Sequence, residues 1–499
     1  MIEDFRKLFR QSVIYGLGTL STKLVGFVLI PLYTKSFSIA QFGVLGLLEV
    51  CAQVVIAFVG FSLYSGFFRW YWDKNSENKK ESMFFTVTIF QLLTAVLAYI
   101  LILPFLSQIS QLILGTVDYT FYFHLMLISA LMQMVLIMPN TLLRLQEKPW
   151  LFTLANIAQL IISLSLTVYF IAYRKAGIEG IYYGQIAGSI AFAAILIRYT
   201  LRNMVFRFEG RLLKEILVFC FPLFFSGVAL VMLNVTDRFS INYLGNLSDV
   251  GLYSYGFKLA NTLNVFLITS VNFAIQPMIY RMMGKPDNKR FYAKLLTYYT
   301  FGVMIFALSL MVFGMEITKL FAKRVEYFDA WTIIPFITYA IIFGMMKDVA
   351  VTGMNIAKKT SLIAATVIIT AALNLSLNFV FIPLIGNQGA ALSKMISMFV
   401  FLGLTYYASQ RQYSIPYEIK RLAILLVSAA VLYGASTFLN HFSVFPRITI
   451  KIIVILAYPF VLYLFKFYEP VELELLKSGW GKWKDPGKLR ENIKRLIYK

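Results

Sequence analysis

Fourteen runs of apolar residues, each long enough to cross a bilayer, follow one another along this chain of 499 residues. They begin near Ser12, Phe42, Met83, Tyr119, Leu151, Ile181, Ile216, Gly251, Leu295, Ala330, Leu362, Gln388, Leu422 and Ile448. A span takes about 20 apolar residues, so the runs and their connections consume nearly the whole length. In hydrocarbon every backbone N–H and C=O must be satisfied within a helix or a closed barrel, and runs of this length select helices. The expected fold is an all-α integral membrane protein of about 14 transmembrane helices. Composition agrees: 59% of the residues are hydrophobic and 14% charged, where soluble proteins carry about 25% charged. Little chain is left for a soluble catalytic domain. The first run, residues 12–34, is too long for the core of a signal peptide and lacks a small-residue cleavage site, so it is read as helix 1.

The charge has its own pattern. There are 46 Lys and Arg against 24 Asp and Glu, a formal net charge of +22. An even number of spans puts both ends on one side, and that side collects 34 of the cations while the other collects nine. Because Lys and Arg concentrate in cytoplasmic loops, both termini are expected in the cytoplasm of a cell bounded by an inner membrane. The surplus is thus a topology signal, with no nucleic-acid partner required. Both end segments look interfacial: Ile2, Phe5 and Phe9 share one face, as do Leu489, Ile493 and Leu496 behind Trp480 and Trp483. Cys51 and Cys220 lie inside apolar runs, which leaves no disulfide framework and no thiolate metal cluster.

The chain repeats itself. LSLTVYFI at 164–171 returns as LSLNFVFI at 375–382, an offset of 211; Gly177 and Gly180 return as Gly386 and Gly389, an offset of 209. FSIAQFG at 37–43 matches LGNLSDVG at 244–251, with Gly43 and Gly251 offset by 208. One period at three points of a six-helix unit makes helices 1–6 and 7–12 two copies in parallel orientation, with helices 13 and 14 added. The organisation is an interfacial segment over 1–11, an N-lobe over 12–203, a C-lobe over 204–410, helices 13–14 over 411–467 and a basic cytoplasmic tail over 468–499. Transporters built from repeats place substrate where the copies meet.

Three lysines, Lys23, Lys258 and Lys394, lie inside apolar runs. An ion at the centre of a span costs at least about 2.5–3.5 kcal/mol, so it faces water or a partner. Lys23 sits mid-helix with Ser12, Gly16, Thr19 and Gly26 on its face, a small and polar stripe expected to line water. Lys258 and Lys394 are either cavity groups or snorkel to the outer interface. Helix 7 ends with Asn234, Asp237 and Arg238; helix 8 adds Asn261 and Asn264; helix 2 adds Glu49. Asp237 and Arg238 either pair locally or face the cavity. Arg69 and Arg144 stand at inner helix ends, and His124 reads more readily as a hydrogen-bonded interfacial histidine than as a proton relay. Counting Lys23, Arg238, Lys258 and Lys394 against Glu49 and Asp237 makes the expected cavity net positive, which attracts anions and repels cationic drugs.

Two stretches carry a family resemblance. YGLGTLSTKLVGFVLIPLYTKSFSIAQFGVLGLLE at 15–49 and TDRFSINYLGNLSDVGLYSYGFKLA at 236–260 resemble bacterial polysaccharide flippases, the O-antigen and exopolysaccharide members of the multidrug/oligosaccharidyl-lipid/polysaccharide exporter superfamily. The resemblance implies two six-helix lobes around a cationic cavity, through which the head group of an undecaprenyl-diphosphate-linked oligosaccharide passes from the cytoplasmic to the periplasmic leaflet. On that reading Lys23 binds the diphosphate, with Arg238, Lys258 and Lys394 as an outer electropositive wall and Glu49 or Asp237 as coupling or charge partners. No cofactor is expected beyond a coupling proton or sodium ion. The implied partners are the lipid-linked glycan, membrane lipids and the polysaccharide polymerase machinery. A lipid II flippase and a cation or multidrug exporter of the same superfamily are the alternatives. An enzyme is disfavoured, because the longest outer loop, 316–330, has no His or Cys.

Overall fold

The computed structural model describes residues 26–474, apart from 284 and 358. The segment 1–11, most of helix 1 with Lys23, and the tail beyond 474 lie outside the described residues. Within them all regular structure is helical: α1 (Ile30–Ser36), α2 (Ile39–Gly60), α3 (Leu63–Trp70), α4 (Lys80–Ile102), α5 (Leu106–Leu114), α6 (Thr120–Leu145), α7 (Pro149–Val168), α8 (Glu179–Arg202), α9 (Gly210–Leu244), α10 (Leu247–Ala260), α11 (Thr269–Met282), α12 (Asn288–Val312), α13 (Gly314–Phe321), α14 (Ile334–Ala350), α15 (Thr352–Ile356), α16 (Thr360–Gln412), α17 (Ile419–Thr437) and α18 (Val444–Leu464). Among the described residues, 11 helices are long and apolar enough to cross a membrane. One of them, α16, is two spans joined at a kink, where Ile385 and Gly386 leave helical geometry. α10 and α11 fall short singly, at 14 residues each, and together form one broken span. With α1 as the end of helix 1, all fourteen expected spans have helix.

The repeat is visible as local chemistry. Ser38 caps α2: its Oγ accepts from the Gln41 N–H at 3.3 Å, and the Gln41 side chain accepts from the Ser38 N–H at 3.0 Å. Asn246, 208 residues on, caps α10 by accepting from the Asp249 N–H at 3.0 Å. The two capped helices then cross with no side chain between them. A Cβ at Gly43 would overlap the Leu247 carbonyl, and a Cβ at Gly251 would overlap the Ile39 carbonyl. Each pair repeats the other at an offset of 208, so the contact is reciprocal about a local two-fold axis. The same holds for two long-range hydrogen bonds: Thr34 donates to the Phe321 carbonyl at 2.8 Å, and Asn242 to the Ile113 carbonyl at 2.5 Å.

The second match resolves into two offsets for a structural reason. Gly180 packs on Phe170 and Ile171, and Gly389 on the backbone of Phe381 and Ile382. The helices before these turns are 211 apart and the glycines 209, so the copies differ by two residues inside the turn. There Gly386 takes φ +57° in the C-lobe, a left-handed conformation that costs glycine little. In the N-lobe turn the left-handed residue is Lys175, at φ +52°.

By contacts, the chain forms two compact units. One holds the described residues up to Tyr292 together with Gly314–Ile415; the other holds Ala293–Phe313 and the described residues from Pro416. In the first, a buried cluster including Leu63, Phe67, Phe84, Met138, Leu142, Ile216 and Cys220 ties α3, α4, α6 and α9 together. Both cysteines are free and buried. In the second, α12 and α17 are tied to the segment after α18 by charge. Lys294 pairs with Glu418 at 2.7 Å and with Glu469; Arg421 pairs with Glu418 at 3.0 Å, Glu469 at 3.3 Å and Glu472 at 3.1 Å. Tyr298 donates to Glu472. For Glu418, burial alone would raise the pKa, but the hydrogen bonds from Lys294 and Thr297 and the Arg421 charge bring it below the ordinary value. Glu472 is lowered too: burial raises it, while Tyr298, the Glu469 N–H and Arg421 more than offset that.

Candidate functional site

Charge in the C-lobe is concentrated on facing turns of α9 and α16. Asp237 is 1% exposed and Lys394 3%, and their charged groups meet at 3.2 Å. Lys394 also donates to the Leu233 carbonyl. Asp237 accepts from the Tyr253 hydroxyl at 3.0 Å and from Asn378 at 3.2 Å. An unpaired charge at this depth would carry a desolvation penalty of several kcal/mol, so each ion is held by the other and by neutral donors. Arg238, the next residue, does not pair with Asp237. Its guanidinium donates to Ser254 at 3.0 Å and stacks 4.9 Å over the Phe257 ring.

The second pair lies where the lobes meet. Lys258 on α10 reaches Glu49 on α2 at 2.6 Å, with the side chains 15% and 34% exposed. The ammonium also faces the rings of Phe42 at 5.3 Å and Tyr33 at 5.9 Å. The two expected anions and two of the four expected cations are therefore mutually neutralised, and the electropositive wall reduces among the described residues to Arg238. Lys23 lies outside them.

A cavity of about 230 Å³ opens between α9, the broken span α10–α11, α14 and α16. Asn234, Asn261, Asn264, Lys347, Asp348 and Lys394 contribute its polar lining, with Phe257 and Phe401 beside them. Asn264 donates to Asn261 at 3.3 Å, and Lys347 pairs with Asp348. Between Asn261 and α11 the chain runs as a π-helical turn, Leu263–Ile268, a form that recurs at functional sites. Among the described residues no group of three or more His, Cys, Asp or Glu is placed to hold a metal ion.

The remaining expected residues stay apart from this cavity. Arg69 is exposed at the end of α3, stacked 4.5 Å over Phe219 and 5.4 Å over Trp70. Arg144 is exposed near the end of α6. His124 hydrogen-bonds Tyr99 at 2.5 Å in a stacked pair. Two polar sets escaped the sequence reading. Thr366, Thr370, Asn374 and Asn378 form a buried stripe on α16, and among the described residues Asn374 has no hydrogen-bond partner for either side-chain atom. Their four-residue spacing was the available signal. Lys451, counted with the outer-side cations, is 1% exposed in α18 and donates to Asn440 at 2.8 Å.

A family model described as polysaccharide biosynthesis protein matches residues 37–325. A protein of the Lsg locus of Haemophilus influenzae is 23% identical over 283 residues, 56% of this chain and 67% of that one. The solved lipid II flippase MurJ, in an inward closed conformation, superposes with a TM-score of 0.73 at 14% identity, covering 91% of this chain and 100% of MurJ. An inward-facing multidrug resistance MATE family transporter of the MOP superfamily superposes with a TM-score of 0.64 at 14% identity, covering 80% and 97%. At these identities the likeness is one of fold.

Proposed function

The chain belongs to the polysaccharide biosynthesis protein family, and from that premise we propose that this multi-pass membrane protein is a flippase for undecaprenyl-diphosphate-linked oligosaccharide. It carries the head group from the cytoplasmic to the periplasmic leaflet of the inner membrane, its termini on the cytoplasmic side. The observation that carries the mechanism is the Lys258–Glu49 pair, a partly exposed ion pair joining the two lobes beside their reciprocal glycine contact. A diphosphate brings more negative charge to Lys258 than one carboxylate does, and inside the membrane that difference is weakly screened. Head-group binding thus competes with Glu49, breaks the interlobe pair and favours the alternative arrangement of the lobes; a ligand shifts an equilibrium only by such differential contacts. Lys23, in helix 1, is the first diphosphate ligand in this scheme, and lysine suits a group that must release its cargo.

The Asp237–Lys394 pair is neutralised within the C-lobe and takes no part in holding the diphosphate. Asp237 and Glu49 are the carboxylates available to a coupling ion, a proton or sodium. The family description favours a glycan over a drug as cargo. A strain lacking the gene is expected to lose surface polysaccharide and to accumulate lipid-linked repeat units facing the cytoplasm. Units that cross the membrane but are not polymerised would point to the polymerase step instead and end this reading. Lys23→Ala and Lys258→Ala are each expected to reproduce the deletion phenotype at normal protein level.

A further inference from the structure

The C-lobe cavity has features that diphosphate recognition does not use. Its charges cancel locally, Lys347 against Asp348 and Lys394 against Asp237, so it presents a neutral interior. What it offers is amide groups. After the Asn264–Asn261 hydrogen bond and the bond from Asn234 to the Leu230 carbonyl in its own helix, the remaining amide atoms of all three asparagines have no protein partner among the described residues. Asn234 is exposed and Asn261 and Asn264 are half-buried, so their free amide atoms stand open along the cavity lining, available to a ligand or water that both donates and accepts hydrogen bonds. Amides do both, which matches vicinal hydroxyls and matches a phosphate oxygen poorly.

Size narrows the ligand further. Pockets for drug-sized molecules run to about 300–1,000 Å³; at about 230 Å³ this one suits a single sugar ring, the rest of a repeat unit lying outside it. Phe257 and Met398 add apolar lining beside the amides. The wall is also built as transporter substrate sites are, from a discontinuous helix that frees polar groups toward the cavity. One position tests the space directly. Gly344 on α14 lines the cavity, and a Cβ there would meet nothing within 4 Å.

We propose that this cavity binds one neutral sugar residue of the transported lipid, with Asn234, Asn261 and Asn264 reading its hydroxyls, so that the C-lobe selects the glycan while Lys258 at the seam takes the diphosphate. The inference rests on the flippase reading and adds to it a separate glycan subsite. The test uses full-length protein in lipid nanodiscs and two probes: bare undecaprenyl diphosphate, and the lipid-linked oligosaccharide purified from cells lacking the protein. Asn261→Ala with Asn264→Ala is expected to weaken binding of the glycan-bearing lipid by about thirtyfold, the effect of two ordinary hydrogen bonds, and Gly344→Leu to weaken it by filling the cavity, with bare undecaprenyl diphosphate bound by both as by the wild type. Gly344→Leu removes no polar group and enters open space, so it separates loss of fit from loss of fold. Glycan-lipid binding at the wild-type level in both variants, or equal loss of both probes, overturns the subsite and leaves the flippase reading standing. A wild-type protein that binds neither probe overturns both.

Discussion

At Lys394 an ammonium group lies buried between α9 and α16, held by one carboxylate and one backbone carbonyl. Such a pair is nearly neutral in net stability, whereas removing one member leaves the other charge buried and uncompensated. Lys394→Met or Asp237→Asn alone is therefore expected to destabilise the purified protein by about 3–5 kcal/mol, and the double variant to recover most of that loss, as read by thermal unfolding in detergent. Additive losses in the double variant would show that the two groups do not act as a pair. The sequence made Asp237, Lys258, Lys394 and Glu49 visible because a charge within an apolar run needs a reason. It did not give their pairing, since Glu49 and Lys258 meet only when two helices 209 positions apart in the chain cross. Asn374 and Asn378 stayed hidden because, unlike Asn234 or Asn261, they have no charged residue within a turn to draw attention to their helix.

At the scale of elements, two devices differ in how readily the sequence displays them. The caps of α2 and α10 and the glycines that follow were legible as a repeat because capping fixes residue type and spacing together. Gly43→Leu and Gly251→Leu are expected to lower thermal stability and transport to a similar degree, because each forces a side chain against the partner helix's backbone. A large effect at one position and none at the other would contradict the reciprocal crossing. The charge network of the second unit was invisible in the sequence: Lys294 and Arg421 read as topology signals in loops, and only folding brings Glu418, Glu469 and Glu472 to them. Glu418 and Glu472 have folded pKa values below the ordinary 4.5, so the stability they contribute is complete above that value and is lost as pH falls through their lower folded values. Hydrogen exchange over 419–437 and 467–474, corrected for intrinsic rates, is expected to stay slow from neutral pH down to about 4.5 and to accelerate below it. Glu418→Gln with Glu472→Gln should remove that step.

For the whole molecule, the apolar runs gave the number of spans and the repeat the meeting of two like halves, and the structure adds that the halves are chemically unequal. Asp237 and Lys394 in the C-lobe correspond to Leu29 and Gln185 in the N-lobe, by the offsets of 208 and 209. The Asp237–Lys394 and Lys258–Glu49 pairs thus lie within the C-lobe and at the seam, and in the proposed cycle of alternating access the second is the exchangeable one. What composition alone presented as a basic protein is a membrane protein whose described intramembrane charges are mostly paired. The central claim is tested most directly by reconstituting the purified protein in liposomes with its lipid-linked oligosaccharide and following the glycan's accessibility to an enzyme added outside. The expected result is protein-dependent transfer between leaflets that Lys258→Ala abolishes and Glu49→Gln alters. Leaflet exchange no faster than in protein-free liposomes, or transfer by Lys258→Ala at the wild-type rate, would contradict it.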